Sequence, residues 1–244
     1  MKTRLSNLPF LIWIFTLLSL FFFIMLILFR ANFPAYPLIS YQDAADILTP
    51  LVLIPIYWLL FKSASGGRPT RAEEIAFIVL AALWTEGQGI HLAANSIDNL
   101  ISALAHSQTL DVTGTDLYRL TYFLDEHLSH YLWHIGVLGM MALLIYVEWR
   151  KPAGETTRWG SILPCGIIYG FTYFCIFLEG QTVAMSLPVT LLVLLVILIW
   201  GRAKLAKQPV VAFFFVSCLV AALFLGGWGI YWDGFPQFSD VGLI

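Results

Sequence analysis

The sequence predicts an all-α fold, a polytopic membrane bundle of seven transmembrane helices read as a single domain over residues 1–244. Three observations predict it. Hydrophobic residues make up 59% of the chain and charged residues only 11%, where a soluble domain carries about 25% charge. The apolar residues gather into seven runs of roughly the 20 residues that a helix needs to cross the hydrocarbon layer. The basic residues collect at the ends of these runs, at alternate loops. This composition excludes a water-soluble globular protein, and 16% aromatic residues exclude disorder. With a net charge of −2 and no basic stripe, a nucleic-acid partner is not expected.

The runs cover residues 9–29, 44–61, 72–106, 117–148, 162–179, 184–200 and 210–230. The first follows Lys2 and Arg4 but is too long for the apolar stretch of a signal peptide. It ends at Arg30-Ala31-Asn32-Phe33-Pro34, which reads as a stop and a turn, so it is taken as a retained span. Pro50 and Pro55 are expected to kink the second span. Pro164 and Pro209 fall near helix starts, where a missing N–H costs little. Short loops make consecutive helices antiparallel neighbours. Of the 13 Lys and Arg residues, all but Arg30 and Arg119 then lie on one side, which places the N-terminus in the cytoplasm and the C-terminus outside. The outer loops carry acids instead: Asp43, Asp46, Asp111 and Asp116, with Asp233 and Asp240 in the tail. Cys165, Cys175 and Cys218 sit in apolar runs and read as small buried hydrophobes.

Ionisable residues cost about 2.5–3.5 kcal/mol each at the centre of a membrane helix, yet the third and fourth spans concentrate them. The third carries Glu86, Gln88, His91, Asn95 and Asp98, and the fourth carries Asp125, Glu126, His127, His130 and His134. His91, Asn95 and Asp98 share one helix face by their i, i+4, i+7 spacing. Glu126, His130 and His134 stand at i, i+4, i+8, and His127 lies within the same third of the circumference. Asp125 points further aside, and Glu86 lies roughly 140° from the His91 direction at about 100° per residue. Equal distances from a loop centred near Asp111 put His91 level with residues between His130 and His134. Glu179, at the end of the fifth span, reaches the same outer half.

Histidine is the commonest metal ligand, and an i, i+4 pair such as His130 and His134 chelates from adjacent turns. His91 supplies a third imidazole from the facing helix, and His127 and Asp98 are further candidate ligands. Asn95, Asp125 and Gln88 are candidates to orient the ligands. Glu86, Glu126 and Glu179 are candidate general bases. No Ser nucleophile is well placed: Ser129 projects about 100° from His130, and no GxSxG elbow appears. The favoured expectation is therefore a divalent metal, zinc first, with iron or copper possible. It would activate water for hydrolysis of a lipid or amphiphilic substrate on the extracytoplasmic side. A di-iron or copper oxidoreductase acting on acyl chains, a haem variant, a metal or proton transporter, and plain hydrogen-bonded helix contacts are the alternatives.

Seven spans with histidines, an HxxxH, an Asp and a Ser are similar in ingredients to the superfamily of alkaline ceramidases and adiponectin receptors. That superfamily carries HxxxH on its last span, whereas His130 and His134 lie on the fourth and the expected orientation is opposite, so no residue is carried over. The sequence also echoes itself: Glu86-Gly87-Gln88 and Glu179-Gly180-Gln181 occur on spans of the same direction. The tail from Gly226 to Asp233 reads as an aromatic belt at the outer interface, with a lid over the site as the other reading.

Overall fold

Every long apolar run becomes a helix, because a backbone in hydrocarbon has only itself to hydrogen-bond with. The protein is seen in a computed structural model that describes residues 8–28, 31–106, 112, 114–150 and 156–243. Lys2, Arg4, Arg30, Asp111 and Lys151, used above to orient the chain and centre a loop, lie outside the described residues.

Helix α1 (Leu8–Leu28) is followed by a small antiparallel hairpin, β1 (Asn32–Phe33) and β2 (Tyr36–Ser40). Then come α2 (Tyr41–Ala64) and α3 (Arg71–His106). The fourth rod is α4 (Asp116–Tyr122), a π-helical stretch Phe123–Ser129 and α5 (His130–Arg150). Helix α6 (Trp159–Glu179) is followed by α7 (Val183–Val196), which runs through a second π turn, Ile197–Gly201, into the short 3₁₀ segment Arg202–Lys204. Helix α8 (Pro209–Trp232) completes seven helices long and apolar enough to cross a membrane. The chain is an integral, multi-pass membrane protein with an all-α seven-span bundle.

Two elements differ from the sequence expectation. Helix α2 begins at Tyr41 rather than near residue 44, which takes in Asp43; Asp46 lies inside the run itself, and both are buried helical residues and not loop acids. The cause is a capping box: the Asp43 amide donates to Ser40 Oγ at 3.0 Å, and the Ser40 amide donates to Asp43 Oδ2 at 2.7 Å. Second, the fourth span is not uniformly α-helical. Its π stretch closes i→i+5 rings, which changes the angular step per residue and re-aims the side chains of Phe123–Ser129.

Helices α3 and α5 touch backbone to backbone because glycines face each other's partner. A Cβ on Gly87 would stand 2.4 Å from the Trp133 amide nitrogen and 2.6 Å from the Ser129 carbonyl oxygen. A Cβ on Gly136 would stand 2.7 Å from Leu80 O and from Trp84 N. Small residues that permit such approach are the usual device of membrane helix pairs. At the basic end of the bundle, buried Glu148 accepts the Val211 amide through Oε2 at 2.8 Å and so caps the first turn of α8. Gln208 Nε2 donates to the Glu148 carbonyl at 3.0 Å. The core between these ends is largely aromatic: Phe15, Tyr57, Tyr173, Phe177 and Phe213 are fully enclosed.

Candidate functional site

Four helices meet at one polar cluster. Glycine-mediated contact brings α3 against the fourth span, and His91 comes to lie with its ring centroid 4.8 Å from that of His130. One turn further along α5, His134 stacks on His130 at 5.9 Å with ring planes 9° apart. His134 is completely buried and His130 nearly so.

Each imidazole is held through Nδ1 by an oxygen. His91 Nδ1 donates to Asp125 Oδ1 at 2.8 Å. His130 Nδ1 donates to the Glu126 carbonyl of its own helix at 3.2 Å. His134 Nδ1 lies 2.5 Å from Thr182 Oγ1, in the turn between α6 and α7. A carboxylate and a carbonyl can only accept, so His91 and His130 carry their proton on Nδ1 in the neutral ring and present a lone pair at Nε2. His134 Nε2 is buried and has no hydrogen-bond partner among the described residues. Gly180 permits the approach of the α6 end to this ring: a Cβ there would stand 2.4 Å from His134 Cε1.

The fourth contributor is α2. Asp46 Oδ2 lies 3.8 Å from His91 Nε2 and accepts no hydrogen bond among the described residues. Its other oxygen accepts Gln88 Nε2 at 3.3 Å, and Gln88 Oε1 in turn accepts Trp84 Nε1 at 2.7 Å. Pro50, four residues on, has no amide to give to the Asp46 carbonyl. Below the histidines, Trp84, Trp133, Tyr57, Tyr169 and Phe15 line an apolar cavity of about 40 Å³. The Tyr57 and Tyr169 hydroxyls are bonded to each other there at 3.0 Å.

The structure therefore brings together His91, His130 and His134 with Asp125 and Gln88, and adds Asp46 and Thr182, which sequence reasoning missed. Asp125, expected to point aside, reaches His91 because it lies in the π stretch. The other candidates lie around this group rather than in it. Asp98 stands two turns along the same face of α3, with its buried Oδ1 unpartnered among the described residues. Asn95 accepts from Asn99 on its own helix at 3.3 Å. Glu126 accepts Gln181 Nε2 at 3.1 Å across to the α6–α7 turn. His127 is exposed and packs edge-on against Tyr122 at 5.6 Å. Glu86 is exposed, on a helix that continues unbroken through Gly87 and Gly89. Glu179 Oε1 accepts the Phe238 amide at 2.7 Å, and its carbonyl accepts Gln237 Nε2 at 2.5 Å. The tail after α8 thus folds back over the end of α6, with Trp228 Nε1 donating to Pro236 O at 3.0 Å. Tyr231 and Ile230 remain exposed, as belt residues would be.

In the conformations adopted here, no three His, Cys, Asp or Glu side chains among the described residues surround one point closely enough to hold a metal ion. The two Glu-Gly-Gln sequences play parallel parts. Each glycine abuts the stretch Ser129–His134, and each glutamine donates to a carboxylate, Gln88 to Asp46 and Gln181 to Glu126.

The chain is similar to the ceroid-lipofuscinosis neuronal protein 6 homolog of Canis lupus familiaris, 22% identical over 200 residues. That stretch covers 77% of this chain and 62% of the dog protein, so the chain spans under two thirds of that relative's length. No family model matches the chain. No solved structure matches it either.

Proposed function

We propose that the chain is an integral-membrane metalloenzyme that binds a divalent cation, zinc by donor type, and hydrolyses a lipid or amphiphilic substrate. The observation that carries this reading is the common handling of three imidazoles. All are fixed at Nδ1 by an oxygen, which is how metal-ligating histidines are oriented, and their Nε2 atoms are left for a ligand. Three neutral nitrogens suit zinc and leave a fourth position for water. Asp46 Oδ2, beside His91 Nε2, is a further donor of opposite charge. The Nδ1 contacts set which ring nitrogen is free, and loading the cation requires the rings to shift so that the Nε2 atoms converge, since no three candidate ligands among the described residues surround one point in this conformation. Ligand strength is tuned by Asp125 and Thr182 through the far side of the rings.

Of the three candidate bases, Glu126 is the one proposed to take the proton of the attacking water. Glu86 is exposed and Glu179 is engaged by the tail. The proposed orientation puts the cluster in the extracytoplasmic half of the bilayer. Lys62, Arg71, Arg150, Arg202 and Lys204 belong to the opposite ends of their helices, and Arg68, Arg158 and Lys207 to the segments that join those ends.

Elemental analysis of the full chain, purified without chelators, tests the metal. Stoichiometric zinc is expected in the wild type and is lost in a His130→Ala, His134→Ala variant that stays monodisperse and helical. Wild-type protein that retains no metal after incubation with zinc sinks the proposal and leaves a hydrogen-bonded helix contact.

A further inference from the structure

Away from the histidines, the basic end of the bundle carries a lipid-facing groove between α5 and α7. It encloses about 570 Å³. Tyr146, Trp149 and Arg150 form one wall, and Leu192, Val196 and Trp200 form the other. The π turn Ile197–Gly201 shapes its lower edge, since Gly201 abuts the Trp149 indole: a Cβ there would stand 2.6 Å from two of its ring atoms. The groove walls are apolar, and Leu192 and Trp200 are 59% and 69% exposed. An acyl chain matches such a surface and no protein segment among the described residues covers it.

The end of the groove is charged. The Arg150 guanidinium lies over the Tyr146 ring at 5.3 Å, and its two polar contacts among the described residues, to the Tyr146 hydroxyl and to Glu73 Oε1 at 3.8 Å, both use Nη1. A guanidinium has five N–H donors in a fixed fork, so at 50% exposure the rest of this one is open to a ligand. Lys204 packs on the adjoining groove residue: its Nζ lies 4.7 Å above the Trp149 ring and donates to the Trp149 carbonyl at 3.0 Å. Arg202 follows directly on the glycine that packs against that ring. Against these three cations stand Glu73, which faces Arg150, and Glu148, which is turned inward onto the α8 amide.

We infer that this groove is a binding site for an anionic phospholipid, with one acyl chain between α5 and α7 and the phosphate at Arg150 beside Lys204. The groove supplies the apolar slot, and Arg150 on Tyr146 with Lys204 on Trp149 supplies the charge that separates an anionic lipid from a zwitterionic one. Basic pockets between membrane helices at the cytoplasmic level take such headgroups. The site is independent of the histidine cluster and stands or falls apart from it.

The test is native mass spectrometry of the full chain in detergent. It is titrated separately with phosphatidylglycerol and phosphatidylcholine of identical acyl chains. The wild type is expected to hold phosphatidylglycerol about fivefold more tightly, the preference that one cation near the phosphate supplies. Arg150→Gln is expected to bring the two lipids level, and Arg150→Lys to restore much of the preference. Val196→Trp, which fills the slot, is expected to weaken both lipids together. Equal binding of the two lipids by the wild type overturns the inference, with no variant needed. So does an unchanged preference in a folded Arg150→Gln protein, or a groove found closed by a second copy of the chain as a lipid-free dimer.

Discussion

Replacing Gly87 by alanine tests the contact that brings the histidines together. The new methyl carbon would stand 2.4 Å from the Trp133 nitrogen, 2.6 Å from the Ser129 oxygen and 2.9 Å from Trp133 Cα. All three are backbone atoms of the facing helix, so no side-chain rotation relieves them. Carbon contacts settle near 3.5 Å, so the helices must part by about 1 Å. Overpacking of this kind costs about 1–3 kcal/mol. Gly89, two residues on, is the internal control, since a Cβ there meets nothing within 4 Å. There alanine gains helix propensity, about 1 kcal/mol. Thermal unfolding in one detergent, followed by circular dichroism, should therefore move in opposite directions for the two variants. Net of the same propensity gain, Gly87→Ala costs up to about 2 kcal/mol; at about 2–4 °C per kcal/mol for a chain of this size it lowers the midpoint by a few degrees, and Gly89→Ala raises it slightly. The same separation carries His91 away from His130, so Gly87→Ala should also lose zinc while Gly89→Ala keeps it. Equal midpoints for the two variants would refute the close backbone contact, and with it the physical basis of the cluster.

Further outcomes follow from the hydrogen bonds. Thr182→Val should leave His134 Nδ1 unpaired in a buried site, costing about 1–3 kcal/mol of stability. It should also weaken zinc binding by about 10–100-fold, measured by competition with a chromogenic chelator. Asp125→Asn keeps an oxygen for His91 but removes the charge, so zinc affinity should fall while the unfolding midpoint moves little. Glu86→Gln, at an exposed position, should change neither zinc content nor turnover in a lipid-hydrolysis screen, whereas Glu126→Gln should retain zinc and lose turnover. Truncation after Asp233 removes the amide that Glu179 accepts, and limited proteolysis should then cut the α6–α7 turn faster than in the intact chain.

The seven spans were legible because twenty-residue apolar runs admit one solution in lipid. Their ends were less so. The sequence Ser40-Tyr41-Gln42-Asp43 is a capping signal, but beside an apolar run its acids read as loop residues. Asp46 was hidden because it reads with the outer-loop acids although it lies within the run 44–61, and the helix delivers it to His91. The trio His91, His130 and His134 was visible from spacing and depth alone, since both follow from the helical rise and repeat. The Asp125 contact was not visible, because periodicity assumes a uniform α-helix and the π stretch breaks that assumption. Thr182 was hidden for another reason. It lies 48 residues from its partner in a turn, where hydrophobic patterning says nothing.

His91, His130 and His134 are proposed to share one cation through their Nε2 atoms. X-ray absorption at the zinc edge on the metal-loaded full chain measures this directly. A shell of imidazole nitrogens at about 2.0–2.1 Å is expected, diminished in His134→Ala. A spectrum fitted by water oxygens alone, or unchanged on removal of His134, would contradict it.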